Sequence, residues 1–441
     1  MKKILVLGAG FVAGPVVKYF LERPETDVTV ADMDLEKAKA LVGSRANGQA
    51  LVLNLRDQDG LNKVIAGADV VVSLVPYTFH PLVAETCIAL RRNMVTTSYV
   101  GEAMRALDEK AREAGIVILN EVGLDPGIDH MEAMRIIHEV KNQGGKILGF
   151  TSYCGGLPAP EANNNPFGYK FSWSPRGVLL AGKNAAHYLK DGQDVQVSAE
   201  SLFDHYTMIP VEGLGRFEGY PNRDALPYIG LYGIPETRTM FRGTLRYPGW
   251  CETLKKIADL GLLEQDEMDL RGKTHADLVR DLAGVPEAQD IKSELRRKLG
   301  LKPDSKVIDK LEWLGLLSED RISLEYGSPL DVLEMLMLKR LQYEEGERDM
   351  VVLQHEFVAV DDRGKKQKIT STLIDFGVPG GDSSMARTVG LPAAVGTRLV
   401  LEGRIRRTGV SVPVHPEVYG PILEELENHG IIFNVKKSWA D

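Results

Sequence analysis

Short runs of apolar residues recur at 4–7, 28–31, 50–53, 70–75, 95–99 and 116–120, and the segments between them are built differently. Residues 12–21, 35–41, 80–90 and 103–114 read as helical stretches. Strands that are short and apolar throughout are buried on both faces, which a parallel sheet covered by crossover helices provides. Residues 1–124 are therefore expected to form a doubly wound α/β domain.

Past Gly149 the alternation is lost. Segments such as GGLPAPEANNNPFGY and EGYPNRDALP are rich in glycine, proline and asparagine, with short β-like runs between them. Such segments make poor core, so they are expected as site-building loops on a second α/β lobe. Residues 251–346 read as helical: Ser328 can cap a helix, Pro329 suits its first position and Asp331 its first turn. The stretch 332–341 is apolar nearly all round and is expected to be buried. MVVLQHEFVAV and KKQKITSTLIDFG flank DDRG and predict a β-hairpin about residues 361–364. A last helix over 383–401, interrupted at Pro392, is expected to return the chain towards the first lobe.

Composition narrows the class. The 441 residues are 44% apolar and 26% charged, a balance for a folded protein of more than one lobe. A net charge of −9 argues against nucleic acid or an anionic membrane as partner. It leaves room for an anionic substrate, which a few local arginines can hold. Cys87, Cys154 and Cys251 are odd in number and form no CxxC pair, so neither a disulfide framework nor a zinc site is expected. The nine histidines are dispersed, with no pair at metal-binding spacing, so no metal is expected. No apolar run reaches the ~20 residues of a membrane span. Gly8 and Gly10 split the opening run that would otherwise resemble a signal peptide, so the expected location is cytoplasmic.

The first candidate chemistry lies at that split. Gly8, Ala9, Gly10, Phe11, Val12 and Ala13 follow the first strand, open the first helix and match GxGxxG/A. Gly8 would permit the tight turn and Gly10 the approach of a pyrophosphate to the helix N-terminus. Asp32 ends the second strand where a ribose-binding carboxylate belongs. A carboxylate there repels a 2′-phosphate, and the following Met33 and Asp34 offer no cation to hold one. The local sequence thus favours NAD over NADP.

Other candidates sit at the ends of later strands. Asp125, in NEVGLDPGIDH, can cap the next helix with Pro126 at its first position, or serve as a catalytic or ammonium-binding carboxylate. The roles are compatible, and the spacing leaves both open. Ser98 and Tyr99 end the fifth strand and face the same edge, although a tyrosine there more often packs than reacts. Cys154 is by default a small buried apolar group, with two glycines after it that would allow close ligand approach. Arg223, Arg242 and Arg246 would ordinarily be solvated charges, yet a polycarboxylate needs such planar forks. His130, one turn into a helix that begins at the strand edge, is the one candidate among the histidines.

At these loops the chain resembles the saccharopine dehydrogenases of the L-glutamate-forming kind. The resemblance rests on LGAGFVAGPV, SLVPYTFHPLV, VTTSYV, NEVGLDPGIDH, SYCGGLPAPE, NNPFGYKFSWSPRGVLL, GYPNRD, RGTLRY, ERDMVVLQHEF and RTVGLP. It implies a Rossmann domain over 1–124 joined by part of 385–441. It also implies an α/β substrate and dimerisation domain with a mixed sheet over 125–250 and 347–384, and an all-helical domain over 251–346. The implied reaction takes saccharopine, water and NAD(P)⁺ to glutamate, α-aminoadipate semialdehyde and NAD(P)H, reversibly. A homodimer would be compatible with it. Cofactor contacts map onto Gly8, Ala9, Gly10, Phe11, Val12, Ala31, Asp32, Met33, Asn54, Leu55, Val75, Thr97, Ser98, Leu124, Asp125, Pro126 and Trp173. Substrate contacts map onto Ser98, Tyr99, Asp125, Arg223, Thr244, Leu245 and Arg246. Asp125, Cys154 and Tyr99 are the candidates for proton transfer. The fungal members carry an arginine at the second strand where this chain has Asp32 and Met33, so their NADP preference is not carried over. Two alternatives are weaker. A carboxyspermidine-type dehydrogenase calls for a site rich in acids rather than arginines, and a non-catalytic dinucleotide-binding protein gives no reason for Tyr99, Asp125 and Cys154.

Overall fold

The structure is a computed structural model that describes residues 1–439. The chain divides into two compact units, one formed by Met1–Ile147 and the chain from Ala359 on, the other by Leu148–Val358.

The first unit begins with β1 (Lys2–Leu7), α1 (Ala13–Leu21), β2 (Thr26–Asp32), α2 (Leu35–Val42), β3 (Gly48–Val52) and α3 (Gln58–Ala66). It continues through β4 (Val70–Ser73), α4 (His80–Leu90), β5 (Asn93–Thr96), α5 (Glu102–Arg105), α6 (Asp108–Ala114), β6 (Val117–Leu119) and α7 (Ile128–Asn142). Its sheet runs β6-β5-β4-β1-β2-β3, with Gly409–Ser411 beyond β6, and every pairing is parallel. All four residues of β4 are buried, as are the last four of β1, the pattern of strands covered on both faces. The chain order reverses between β1 and β4, so a crevice is expected at their carboxyl ends.

The helix Ser384–Leu401 returns to this unit and packs on α1. It runs unbroken through Pro392 instead of stopping there. Burial along most of its length outweighs the hydrogen bond that proline cannot make. Gly390 lets the two helices approach, since a Cβ there would lie 2.8 Å from the Val12 carbonyl oxygen.

The second unit carries a mixed sheet. Thr207–Val211 pairs antiparallel with Gly215–Pro221, and Gly215–Pro221 antiparallel with Thr239–Arg246. Thr239–Arg246 in turn pairs parallel with Lys146–Pro158. The helical segment is present, and Ser328 and Asp331 form a reciprocal capping box with Pro329 in the first turn. These helices share buried core with residues from outside the segment. Leu254, Leu295, Leu311 and Leu333 cluster with Phe167, Tyr169 and Tyr220. Helices of eight to twelve residues cannot each bury an apolar face alone, and this common core supplies the cover.

Candidate active site

The glycine turn is shaped for a dinucleotide. Gly8 has φ of 100°, and a Cβ on it would lie 2.9 Å from the Leu74 carbonyl oxygen, so only glycine fits. A Cβ on Gly10 would meet nothing within 4 Å, which leaves the space above the turn open. Val12 precedes α1 without a side-chain cap; the Ala13 N–H donates to the Gly10 carbonyl at 3.2 Å, and the N–H groups after it in the first turn suit an anion. Phe11 and Met33 are exposed and Ala31 is buried behind them.

Asp32 does lie at the end of β2, but its carboxylate is committed. One oxygen accepts from the Ala9 N–H at 2.7 Å and the other from the Asp34 N–H at 2.8 Å. The side chain braces the turn, and two N–H dipoles offset part of its charge. Asp32 opposes Val52 in register, so the exposed Asn54, the half-buried Leu55 and the exposed Arg56 follow beside the end of β2. Val75 follows β4 at the same edge and is half-buried.

Beyond β5, Thr97, Ser98 and Tyr99 leave the strand half-buried. The Tyr99 hydroxyl donates to Asp125 Oδ1 at 2.9 Å. Asp125 is not a helix cap: α7 begins at Ile128 after Gly127, with no side-chain cap, and the peptide bond between Asp125 and Pro126 is cis. Leu124 and Pro126 are buried on either side of it, so Asp125 is turned towards Tyr99 from a closed loop.

Two residues of this edge escaped the sequence reading. His80 is buried; its Nδ1 meets Ser73 Oγ at 2.9 Å and its Nε2 meets Ser98 Oγ at 2.8 Å. Burial pulls its pKa down to about 4, so the ring is neutral near neutral pH and orients Ser98. Glu121, 6% exposed, stands at φ of 59°, a left-handed backbone that costs a side-chain-bearing residue roughly 1–3 kcal/mol. A histidine beside a proline and a glutamate at a strand end carry no local signal for either role.

In the second unit the parallel pairing sets Thr244 opposite Cys154. Cys154 is buried, and the first of its two following glycines serves the sheet: a Cβ on Gly155 would lie 2.8 Å from the Leu245 carbonyl oxygen. That close strand approach, not ligand access, accounts for the first of them. Arg246 is 5% exposed, with its guanidinium carbon 4.9 Å from the Tyr169 ring centre and 5.4 Å from that of Trp250. Glu218 opposes it in register but spends its two oxygens on the Gly249 and Cys251 N–H groups, at 2.6 and 2.8 Å. Arg246 Nε has no hydrogen-bond partner. Among the described residues no carboxylate forms an ion pair with Arg246, so this buried cation suits an anion. Leu245 is buried and Thr244 half-buried beside it. Arg223 is exposed in the turn after Gly215–Pro221, at φ of 59°. Arg242 is buried over the Tyr228 ring. Trp173 lies half-buried against the helical core. Among the described residues no group of His, Cys, Asp or Glu side chains is placed to hold a metal ion.

Comparison with known proteins adds the following. Residues 4–119 match the saccharopine dehydrogenase NADP binding domain, and residues 123–431 the saccharopine dehydrogenase C-terminal domain. The chain is 43% identical to saccharopine dehydrogenase [NADP(+), L-glutamate-forming] of Saccharomyces cerevisiae over all of both chains. A solved apo structure described as the L-Glu-forming saccharopine dehydrogenase of that organism matches with a TM-score of 0.90 at 42% identity, over 99% of this chain and all of the other. Mitochondrial alpha-aminoadipic semialdehyde synthase of Bos taurus is 38% identical over 99% of this chain, which spans 48% of that protein. These findings overturn the expected preference for NAD: the fungal relatives are named for NADP(+) and the matching domain is an NADP binding domain. The expectation leaned on Asp32 as a free charge facing the ribose, whereas both of its oxygens accept from backbone.

Proposed function

From the premise that this chain belongs to the saccharopine dehydrogenase family, we propose that it oxidises saccharopine with NADP⁺ through the Tyr99 and Asp125 pair. The protein is an oxidoreductase of lysine metabolism that acts on the C–N bond of saccharopine, and the reaction is reversible. The observation that carries the residue assignment is the 2.9 Å bond from Tyr99 to Asp125 at the carboxyl edge of a dinucleotide-type sheet.

The bound nicotinamide supplies one thing, an acceptor for the hydride that leaves the carbon beside the secondary amine. The rest falls to the protein. The amine must lose its proton before hydride can leave, and in this reading Asp125 takes it, a role its bond from the Tyr99 hydroxyl supports. Water then adds to the imine carbon, and the same pair returns a proton to the nitrogen as glutamate departs. Cys154 is a third candidate for these transfers. Arg246 supplies a buried cation for a substrate carboxylate, with Arg223 as a more exposed second.

The residues present fit NADP. The open glycine turn and uncapped α1 suit the pyrophosphate. With Met33 after β2, the cation for the 2′-phosphate falls to Arg56, exposed in the turn after β3. The location we propose is the cytoplasm, a reducing compartment that suits three free cysteines.

The reverse reaction tests this reading. Enzyme given NADPH, L-glutamate and α-aminoadipate semialdehyde should form saccharopine, identified by mass. Consumption of NADPH without saccharopine would sink it.

A further inference from the structure

Behind the Tyr99 and Asp125 pair lies a set of buried ionisable groups that the proposed chemistry does not use. Glu121 follows β6, and one of its oxygens accepts from the Val100 N–H at 2.8 Å. The other faces His130 Nε2 at 2.7 Å. His130 Nδ1 faces Asp129 Oδ2 at 3.8 Å, and Asp129 Oδ1 accepts from the Gly127 N–H at 2.6 Å. Each of the three side chains is more than nine-tenths buried.

Both ends of this chain of contacts reach a segment that carries a site residue. At one end, the Glu121 N–H donates to the Ser98 carbonyl at 3.2 Å and its carboxylate holds Val100, so Tyr99 is pinned from both sides. At the other, Asp129 holds the N–H of Gly127, and its own N–H donates to the Leu124 carbonyl at 3.0 Å, so Asp125 is likewise bracketed. The loop has little slack, since a Cβ on Gly127 would lie 2.0 Å from the Gly123 carbonyl oxygen. A left-handed glutamate in the interior persists only where its surroundings over-determine it, and such residues gather at sites whose geometry matters.

We propose that Glu121, His130 and Asp129 are positioning residues that clamp the segment bearing Tyr99 to the loop bearing Asp125. The proposal rests on the reading that this pair faces the substrate. The clamp acts through reach: an acceptor must span from the Glu121 backbone to both Val100 and His130. Displacing a reacting group by about 1 Å costs about a hundredfold in rate.

Two substitutions separate reach from charge. Glu121→Asp keeps the carboxylate but shortens it by a methylene, and aspartate tolerates left-handed backbone, so folding should survive. Glu121→Gln keeps the length and the acceptor for Val100, while its amide nitrogen can face His130 Nε2 in place of the second carboxylate oxygen. With saccharopine and NADP⁺, Glu121→Asp should lower kcat by about tenfold or more, and Glu121→Gln should stay within about threefold of wild type. The dissociation constant for NADPH, read by nucleotide fluorescence, should change by less than the kcat of Glu121→Asp. Equal losses in both variants, or an unchanged kcat in Glu121→Asp even where its Tm falls, would overturn the clamp. A wild type inactive on saccharopine would instead overturn the functional reading.

Discussion

His80 couples the site to pH through stability. Burial depresses its pKa to about 4, and the ring bridges Ser73 and Ser98 as a neutral group. In the unfolded chain the ring protonates near its ordinary value, so below about pH 6.5 the unfolded state binds more protons than the folded one. Stability is therefore full above that value and is lost as pH falls towards 4, by about 3 kcal/mol for a shift of this size. Urea unfolding of wild type and His80→Asn across this window checks it. The variant should start less stable near neutrality and lose less on acidification; parallel curves would show that another group carries the slope.

Arg246 makes a sharper statement about ligand. Glu218, opposite it in register, turns both oxygens to the start of the helix Trp250–Asp259, so the Arg246 Nε–H is left for an incoming carboxylate. Arg246→Ala should raise the KM for saccharopine about ten- to a hundredfold, the worth of one charge-assisted hydrogen bond. NADPH binding should change little; equal losses for both ligands would place Arg246 outside the substrate site. These residues also mark how far sequence carries at this level. Asp32 is found from its place after the second strand, but its role needs the Ala9 N–H that folding brings to it. Asp125 has the spacing of a cap, and only the start of α7 at Ile128 shows that it is not one.

Elements were more legible than the roles within them. The strands of the first unit announce themselves because a doubly covered strand must be apolar at nearly every position. The reciprocal cap of Ser328 and Asp331 was legible because it is local. The helix through Pro392 was not, because packing against α1 decides it and no window of sequence holds that partner. That packing gives a test. Gly390→Ala sets a methyl against the Val12 carbonyl and should lower stability by about 1–3 kcal/mol, seen as a lower Tm. An unchanged Tm would mean that the helices part without strain. The turn after β3 gives another. Arg56→Ala should weaken NADP⁺ about tenfold and leave NAD⁺ unaffected, since only the former offers a 2′-phosphate to a guanidinium. A parallel loss for both nucleotides would assign the phosphate to another cation.

For the whole molecule, the division of labour follows from which unit holds which groups. The first unit gathers the glycine turn, His80, Ser98 and the Tyr99 and Asp125 pair, and the second gathers Cys154 and Arg246. The helical segment looks self-contained in sequence, yet its core includes Phe167 and Tyr169, which no window of that segment holds. Initial rates of NADPH formation after mixing wild-type enzyme, NADP⁺ and L-saccharopine test the account most directly. It predicts prompt NADPH with one L-glutamate released per turnover, a lower kcat/KM with NAD⁺, and no rate with free lysine or simple 2-hydroxy acids. Folded enzyme that binds NADP⁺ yet turns over no saccharopine would contradict it.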